Sequence, residues 1–235
     1  MSVVVYLRNA SAMWCALQPE ATNGADHVRA ELPTVTRILL KRPAPTHVLT
    51  TLLDGAPADK GVVVEDVFGA ASDVGARMLR MPVMVRPATA PTPPTTGVRV
   101  RQVTDEDELA VAERLIVEGF PLSLYRPLVR THALPPRVLT VPGWRVWLAD
   151  HEGRPAAAGY TFDDGAAVGL YWLVTSPEHR HRGMARAIMA AAIGAHAGRD
   201  FTLMATDVGR PLYESLDFHA VVTATWHSRP AVRPG

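Results

Sequence analysis

One run of about fifty residues narrows the folds open to this chain. Ala166-Ala167-Val168-Gly169-Leu170-Tyr171-Trp172-Leu173-Val174-Thr175 reads as an apolar strand, and Pro177-Glu178-His179 breaks it. Arg180-His181-Arg182-Gly183-Met184-Ala185 then leads into an alanine-rich helix. A second strand, Phe201–Thr206, a short helix, Arg210–Leu216, and a last strand opening at Phe218 complete the run. A loop that enters a helix offers unpaired backbone N–H groups and the positive end of the helix dipole, which together suit an anion. Gly183 lets the backbone come close and turn freely, and Ala185 keeps the surface bare. Arg180, Arg182 and Arg186, with His179 and His181, add side-chain donors. Alone, Arg-x-x-Gly-x-Ala matches many helix starts; between an apolar strand and a long helix it becomes specific.

Composition excludes several classes. Formal charge sums to +1, and the arginines are scattered, so no bulk field draws in nucleic acid or anionic membrane. Cys15 is the only cysteine, which rules out an intramolecular disulfide and a cysteine-rich zinc site. His179-x-His181 lacks a carboxylate or cysteine to complete a ligand set, so no metal is expected. Residues 3–17 are rather apolar, yet Arg8 and Asn9 interrupt them and no basic segment precedes them. Val3, Leu7, Ala10, Trp14 and Leu17 recur at helical spacing, which predicts a helix capped by Ser2 and ended by Pro19. A soluble, cytoplasmic protein is the expectation.

Pro87 to Gly97 holds four prolines and no large apolar residue. It predicts a stiff connector of about 30 Å, at roughly 3.1 Å per residue. It therefore divides residues 1–86 from residues 98–228, with 229–235 a tail. Before it, strands are expected near Val28–Leu32 and Val35–Lys41, then a helix capped by Thr46 and stopped at Gly55. A strand at Gly61–Val67, a helix at Ser72–Leu79 and a strand at Met81–Arg86 follow. No catalytic cluster stands out there. After the connector come a strand at Val98–Val103 and a helix to about Glu118, begun by Thr104-Asp105-Glu106-Asp107. Residues 121–140 read as a short helix and a loop. Trp144–Asp150 and Ala156–Phe162 read as strands joined by a turn at His151-Glu152-Gly153-Arg154.

This order, with Arg-x-x-Gly-x-Ala and Leu212-Tyr213-Glu214-Ser215-Leu216-x-Phe218, resembles the GNAT N-acetyltransferases over residues 97 to about 228. The resemblance implies an α/β fold, the GNAT acyl-CoA N-acyltransferase fold: a mixed, mostly antiparallel central sheet flanked by helices, here preceded by a smaller α/β domain. Residues 1–86 fit either a degenerate partial copy of that fold or an unrelated packing domain. It further implies acetyl-CoA as cosubstrate, contacted by Leu173, Val174, Thr175, Arg180, His181, Arg182, Gly183, Met184, Ala185, Arg186, Thr206 and Tyr213. The Val174 N–H would polarise the acetyl carbonyl, and Tyr213 would be the general acid that protonates the departing thiolate.

Two departures from the family pattern stand out. Asp217 replaces the usual glycine before Phe218; aspartate tolerates a left-handed helix end. The strand Val168–Trp172 carries no carboxylate to act as base, which leaves Glu118, water or prior deprotonation in solution. The expected activity is acetyl transfer to a primary amine of a small molecule or peptide by direct attack, in a monomer or a homodimer. The rival from another class is a non-catalytic acyl-CoA-binding or regulatory module on the same scaffold.

Overall fold

The computed structural model describes residues 2–69, 74–94, 97–120 and 125–232. Its elements run α1 (Val3–Leu17), β1 (Thr22–Asn23), β2 (His27–Glu31), β3 (Val35–Leu40), α2 (Thr46–Asp54), β4 (Gly61–Asp66) and β5 (Arg77–Arg86). After the proline segment come β6 (Val100–Gln102), α3 (Glu106–Gly119), β7 (Trp144–His151), β8 (Arg154–Asp163) and β9 (Ala167–Thr175). The chain closes with α4 (Met184–Ala195), β10 (Asp200–Met204), α5 (Arg210–Glu214) and β11 (His219–Arg229). This is the mixed, largely antiparallel α/β architecture that the sequence implied.

Among the described residues eleven strands form one sheet, in the order β1-β2-β3-β4-β11-β5-β10-β9-β8-β7-β6. Only two joints are parallel, β3 with β4 and β9 with β10. The proline segment does not separate two sheets. Strand β5 precedes it yet lies between β10 and β11, pairing antiparallel with both. Strand β11 in turn lies between β5 and β4. Arg86, at the end of β5, is 2 % exposed. It donates to the Leu216 carbonyl at 2.9 Å and to the Pro91 carbonyl, which ties β5 to the end of α5 and to the proline segment.

One face of the sheet carries α1 and α3. A single apolar cluster there joins Trp14, Val63 and Val83 to Ala112, Tyr160 and Trp172, so both sides of the proline segment share a core. The opposite face carries α4, packed through Met184, Ile188 and Met189 on Val168, Leu170 and Leu203. Helix α2 covers Ile38, Leu40, Val62 and Val64. Helix α1 is held by Asn9, a fully buried residue whose amide donates to the Phe162 and Ala167 carbonyls at 3.1 and 2.9 Å. Its Oδ1 accepts from the Tyr171 hydroxyl at 2.7 Å. A side chain at Gly169 would overlap Asn9 Oδ1, so glycine there lets the helix approach β9.

Several expectations are corrected. Arg77–Leu79 is strand, not helix, because Met78 and Leu79 pair with His227 and Trp226 of β11; residues 72 and 73 of that expected helix lie outside the described residues. Thr46 is the first residue of α2 and Pro45 its cap. Ser2 is the N-cap of α1 as expected, though its side chain makes no capping hydrogen bond. Asp105, not Thr104, caps α3, accepting from the Asp107 and Glu108 N–H groups. Among the described residues from 126 to 140 the helical element is a single turn at Pro136–Leu139, and residues 121–124 of the expected helix and loop lie outside the described residues. Arg229 still belongs to β11 rather than to a tail. Asp217 is left-handed, φ 64°, as its place in the sequence required. Among the described residues no helix is long and apolar enough to cross a membrane.

The strand order predicts that residues 97–235 will not fold alone, because β10 and β11 would each lose the neighbour that bridges them. That fragment should lack a cooperative thermal transition and near-UV dichroism. A soluble fragment with a sharp melt would show that β5 is dispensable.

Candidate active site

Strands β9 and β10 stay together for three pairs, Asp200–Ala167, Phe201–Val168 and Thr202–Gly169, and then part. Beyond Gly169, β9 remains paired with β8 on its other edge, with Trp172 and Leu173 together opposite Gly159. Trp172 has φ 48°, and a side chain at Gly159 would sit 3.1 Å from the Leu173 Cα. A bulge of this kind bends a strand and re-aims its backbone. The edge of β9 from Leu170 to Thr175 that faces β10 is thereby left without a strand partner, so its N–H and C=O groups are free for an extended amide-bearing chain. Val174 is buried beneath the end of α3, where a side chain at Gly119 would overlap its methyl group.

The loop that follows β9 is exposed. His181 and Gly183 both take positive φ, 61° and 81°, so the backbone curls on either side of Arg182. Such curls gather successive N–H groups into an anion-binding concavity. Gly183 is the N-cap of α4, no side chain caps the helix, and its first turn holds no acid. A Cβ at Gly183 would meet nothing within 4 Å, so the approach to these N–H groups is open. Arg182 contacts the His151 ring at 3.0 Å, and Arg186 donates to Ser215 Oγ at 2.6 Å, which links α4 to the end of α5. Met184 turns inward; Arg180 and His181 remain exposed.

Tyr213 lies on the same sheet face, in the apolar cluster that holds Met184, Leu203 and Ala205, with its ring 5.9 Å from that of Phe218. Burial alone raises its pKa well above the ordinary 10.0, so the hydroxyl stays protonated at every working pH. Thr206 lies in the turn between β10 and α5: its carbonyl accepts from the Gly209 and Arg210 N–H groups, and its Oγ1 from the Gly209 N–H. Glu118 is exposed at the end of α3, where its backbone carbonyl accepts from Arg126 at 2.7 Å. The loop, the free edge of β9 and Tyr213 therefore share one region; Glu118 is exposed and precedes Gly119, which abuts Val174. Among the described residues no group of three or more potential metal ligands occurs.

The other face of the same opening holds a feature the sequence reading missed. A cavity of about 50 Å³ lies under α1, bounded near the strand opening by Trp172, Met204, Thr206 and Phe120. Its far wall comes from residues 1–86: Tyr6, Trp14, Arg37 and Glu65. Glu65 is 2 % exposed; its Oε1 accepts from the Tyr6 hydroxyl at 2.5 Å and its Oε2 from Arg37 Nη2 at 3.3 Å. The Arg37 guanidinium lies 4.2 Å from the Trp226 ring centroid and 5.2 Å from that of Trp14. The signal was present: Arg37 interrupts the apolar run of β3 and Glu65 that of β4, in strands buried on both faces.

Residues 142–220 match a sequence model described as an acetyltransferase (GNAT) domain. No curated protein matches the chain in sequence. Among solved structures, a GCN5-related N-acetyltransferase from Kribbella flavida superposes with a TM-score of 0.66 at 17 % identity, over 99 % of this chain and 97 % of that one. A conserved protein of unknown function from Staphylococcus epidermidis gives 0.64 at 11 %, over 90 % and 93 %. A GCN5-related N-acetyltransferase-like protein from Streptococcus suis gives 0.58 at 13 %, over 97 % and 100 %. These likenesses run across the whole chain, so residues 1–86 belong to the shared fold.

Burial raises the Glu65 carboxyl above its ordinary value of 4.5, and Arg37 and the Tyr6 hydroxyl offset part of the rise. A carboxyl raised on folding favours the folded state while protonated and loses that contribution as pH climbs from 4.5 through the folded value. Glu65→Gln removes the titration. The difference in Tm, variant minus wild type, should become more positive as pH rises from about 4.5 toward 7. A difference that stays flat, or turns negative, would show that ionised Glu65 carries no penalty in the folded protein.

Proposed function

We propose, from the match of residues 142–220 to a GNAT acetyltransferase domain, that the protein moves an acetyl group from acetyl-CoA to a primary amine by direct attack, with no covalent enzyme intermediate. The observation that carries this reading is the parting of β9 and β10 beside an uncapped helix start, with a buried tyrosine on the same face. Each part suits one portion of acetyl-CoA. The N–H groups from Arg182 to Arg186 would take the pyrophosphate, with Arg180 and Arg182 adding charge. The free edge at Leu173, Val174 and Thr175 would pair with the pantetheine amides.

In the reaction the amine nitrogen forms a bond to the acetyl carbon and the carbon–sulfur bond breaks. An N–H on the β9 edge, Val174 by the family pattern, stabilises charge on the carbonyl oxygen. The Tyr213 hydroxyl gives its proton to the thiolate as it departs, and solvent reprotonates the phenolate. Burial opposes a phenolate and a thiolate alike in this space, so proton transfer coupled to bond cleavage moves one negative charge from sulfur to the Tyr213 oxygen, where a solvent proton then neutralises it. The amine sheds its proton to water or to Glu118. Nothing on β9 from Val168 to Trp172 can accept it. That absence favours the second reading, an acyl-CoA-binding module without turnover. Release of free thiol from acetyl-CoA across an amine panel separates the two.

Two substitutions set binding against chemistry. Gly183→Glu places a negative charge at the helix start and should weaken acetyl-CoA binding by about 2 kcal/mol or more, read by calorimetry. Tyr213→Phe should leave that affinity nearly unchanged and lower kcat about 10²-fold. Wild-type turnover in Tyr213→Phe removes the general-acid role. Unchanged affinity in a folded Gly183→Glu protein removes the cofactor assignment altogether.

A further inference from the structure

The cavity under α1 is lined by a buried cation whose hydrogen-bonding needs the fold does not fully meet. Arg37 is 3 % exposed, and its Nη1 has no hydrogen-bond partner although its Nη2 is paired with Glu65. A buried donor left unpaired costs about 1–3 kcal/mol, more for a charged group, so the site stands ready to bind an oxygen. The guanidinium cannot turn away to find one. Trp226 and Trp14 flank it, Glu65 holds Nη2, and Glu65 is itself fixed by Tyr6.

The same enclosed space reaches the strand opening. Tyr160 of β8 and Tyr125 both feel the Arg37 charge: burial raises the two phenols, Tyr125 to about 12, and the guanidinium pulls back against that rise. At the near end, Trp172, Met204 and Thr206 bound the cavity where β9 leaves β10. The α4 loop and Tyr213 serve the opposite face of the sheet. A linear molecule lying in the cavity would therefore have one end at the opening and the other at Arg37.

We propose that this cavity is the acceptor site, and that the acceptor is a slender amine bearing a neutral carbonyl, an amide as in a peptide or amino-acid amide, whose oxygen takes the free Arg37 Nη1–H. This rests on the acetyl-transfer reading above. The carbonyl is neutral because Arg37 already has its counter-charge in Glu65. An incoming carboxylate would be a second anion on one cation in a buried site and would keep most of its desolvation cost. The body is slender because the space measures about 50 Å³ and is walled by aromatic rings. The amine end lies at the β9–β10 opening, within reach of an acetyl group held on the other face.

The test uses the full-length protein and three linear series with one to five methylenes: ω-amino amides, ω-amino acids and n-alkylamines. Binding is read from tryptophan fluorescence, since Trp14, Trp172 and Trp226 line the cavity, with and without saturating CoA. At one chain length the amide should bind about 10-fold more tightly than both counterparts, the equivalent of one good hydrogen bond. Arg37→Met/Glu65→Gln, which removes both charges together, should erase that advantage while leaving acetyl-CoA affinity unchanged. Arg37→Lys, which keeps a cation beside Glu65 and lacks Nη1, serves the same purpose if the double variant melts without cooperativity. Equal binding of amides and alkylamines at every length overturns the proposal, because water then satisfies Nη1. Tighter binding of the acids overturns the neutral carbonyl, and an amide preference that survives both variants overturns the role of Arg37. Failure of wild-type protein to bind acetyl-CoA would sink the transfer reading, and the series without CoA would still report what Arg37 selects.

Discussion

Asn9 is a small side chain on which much of the architecture hangs. Its two amide hydrogens and its oxygen are all engaged, by the Phe162 and Ala167 carbonyls and the Tyr171 hydroxyl. Those partners flank the turn between β8 and β9, so the bonds fix where α1 crosses the sheet. The placement needs the missing side chain of Gly169, which is also the last residue of β9 paired with β10. Seating α1 thus coincides with the point at which the two strands part. A fully satisfied buried amide tolerates no near miss, since any shift of the helix leaves a carbonyl or a hydroxyl unpaired.

From that seat α1 serves as a roof. It brings Tyr6 to Glu65 and Trp14 to Arg37, so a charged pair on the first half of the chain becomes part of a space that opens beside β9. Such a pair adds little to stability compared with apolar residues of equal volume. Its presence in two fully buried strands, where valine, isoleucine and leucine predominate, calls for another role, and the free Nη1 supplies one. The opening between β9 and β10 is reached from both faces of the sheet, by basic loop and tyrosine on one side and by this aromatic space on the other.

The sequence was readable where the signals are local. The apolar strand, the glycine before α4, the Leu-Tyr helix and the left-handed Asp217 each depend on a few neighbouring residues, and each appears at its expected place. What could not be read depends on residues far apart. Arg77–Leu79 has side chains that suit a helix, but β11 pairs with it across about 150 residues and makes it a strand. The proline segment looked like a boundary because its composition forbids a core, yet sheet continuity is set by the strands on either side of it. Arg37 and Glu65 were legible only as charges in strands; that they meet follows from the parallel pairing of β3 with β4, and that they meet Tyr6 and two indoles follows from the placement of α1 and β11. Glu118 precedes Gly119 and Phe120, both close to the site, and is itself exposed at the end of α3.

The strand order also has a consequence for how the protein is made. On a ribosome, β4 and β5 emerge early, with more than a hundred residues still to be added before the strand that separates them. Until β11 is released, both carry an unpaired edge, and the valine-rich β4 is the type of surface that recruits other chains. The first half therefore cannot close as an independent foldon during synthesis. A pause or a truncation before His219 leaves an aggregation-prone intermediate with its basic loop already translated, so the last strand decides whether the nascent chain completes its sheet or becomes a substrate for quality control.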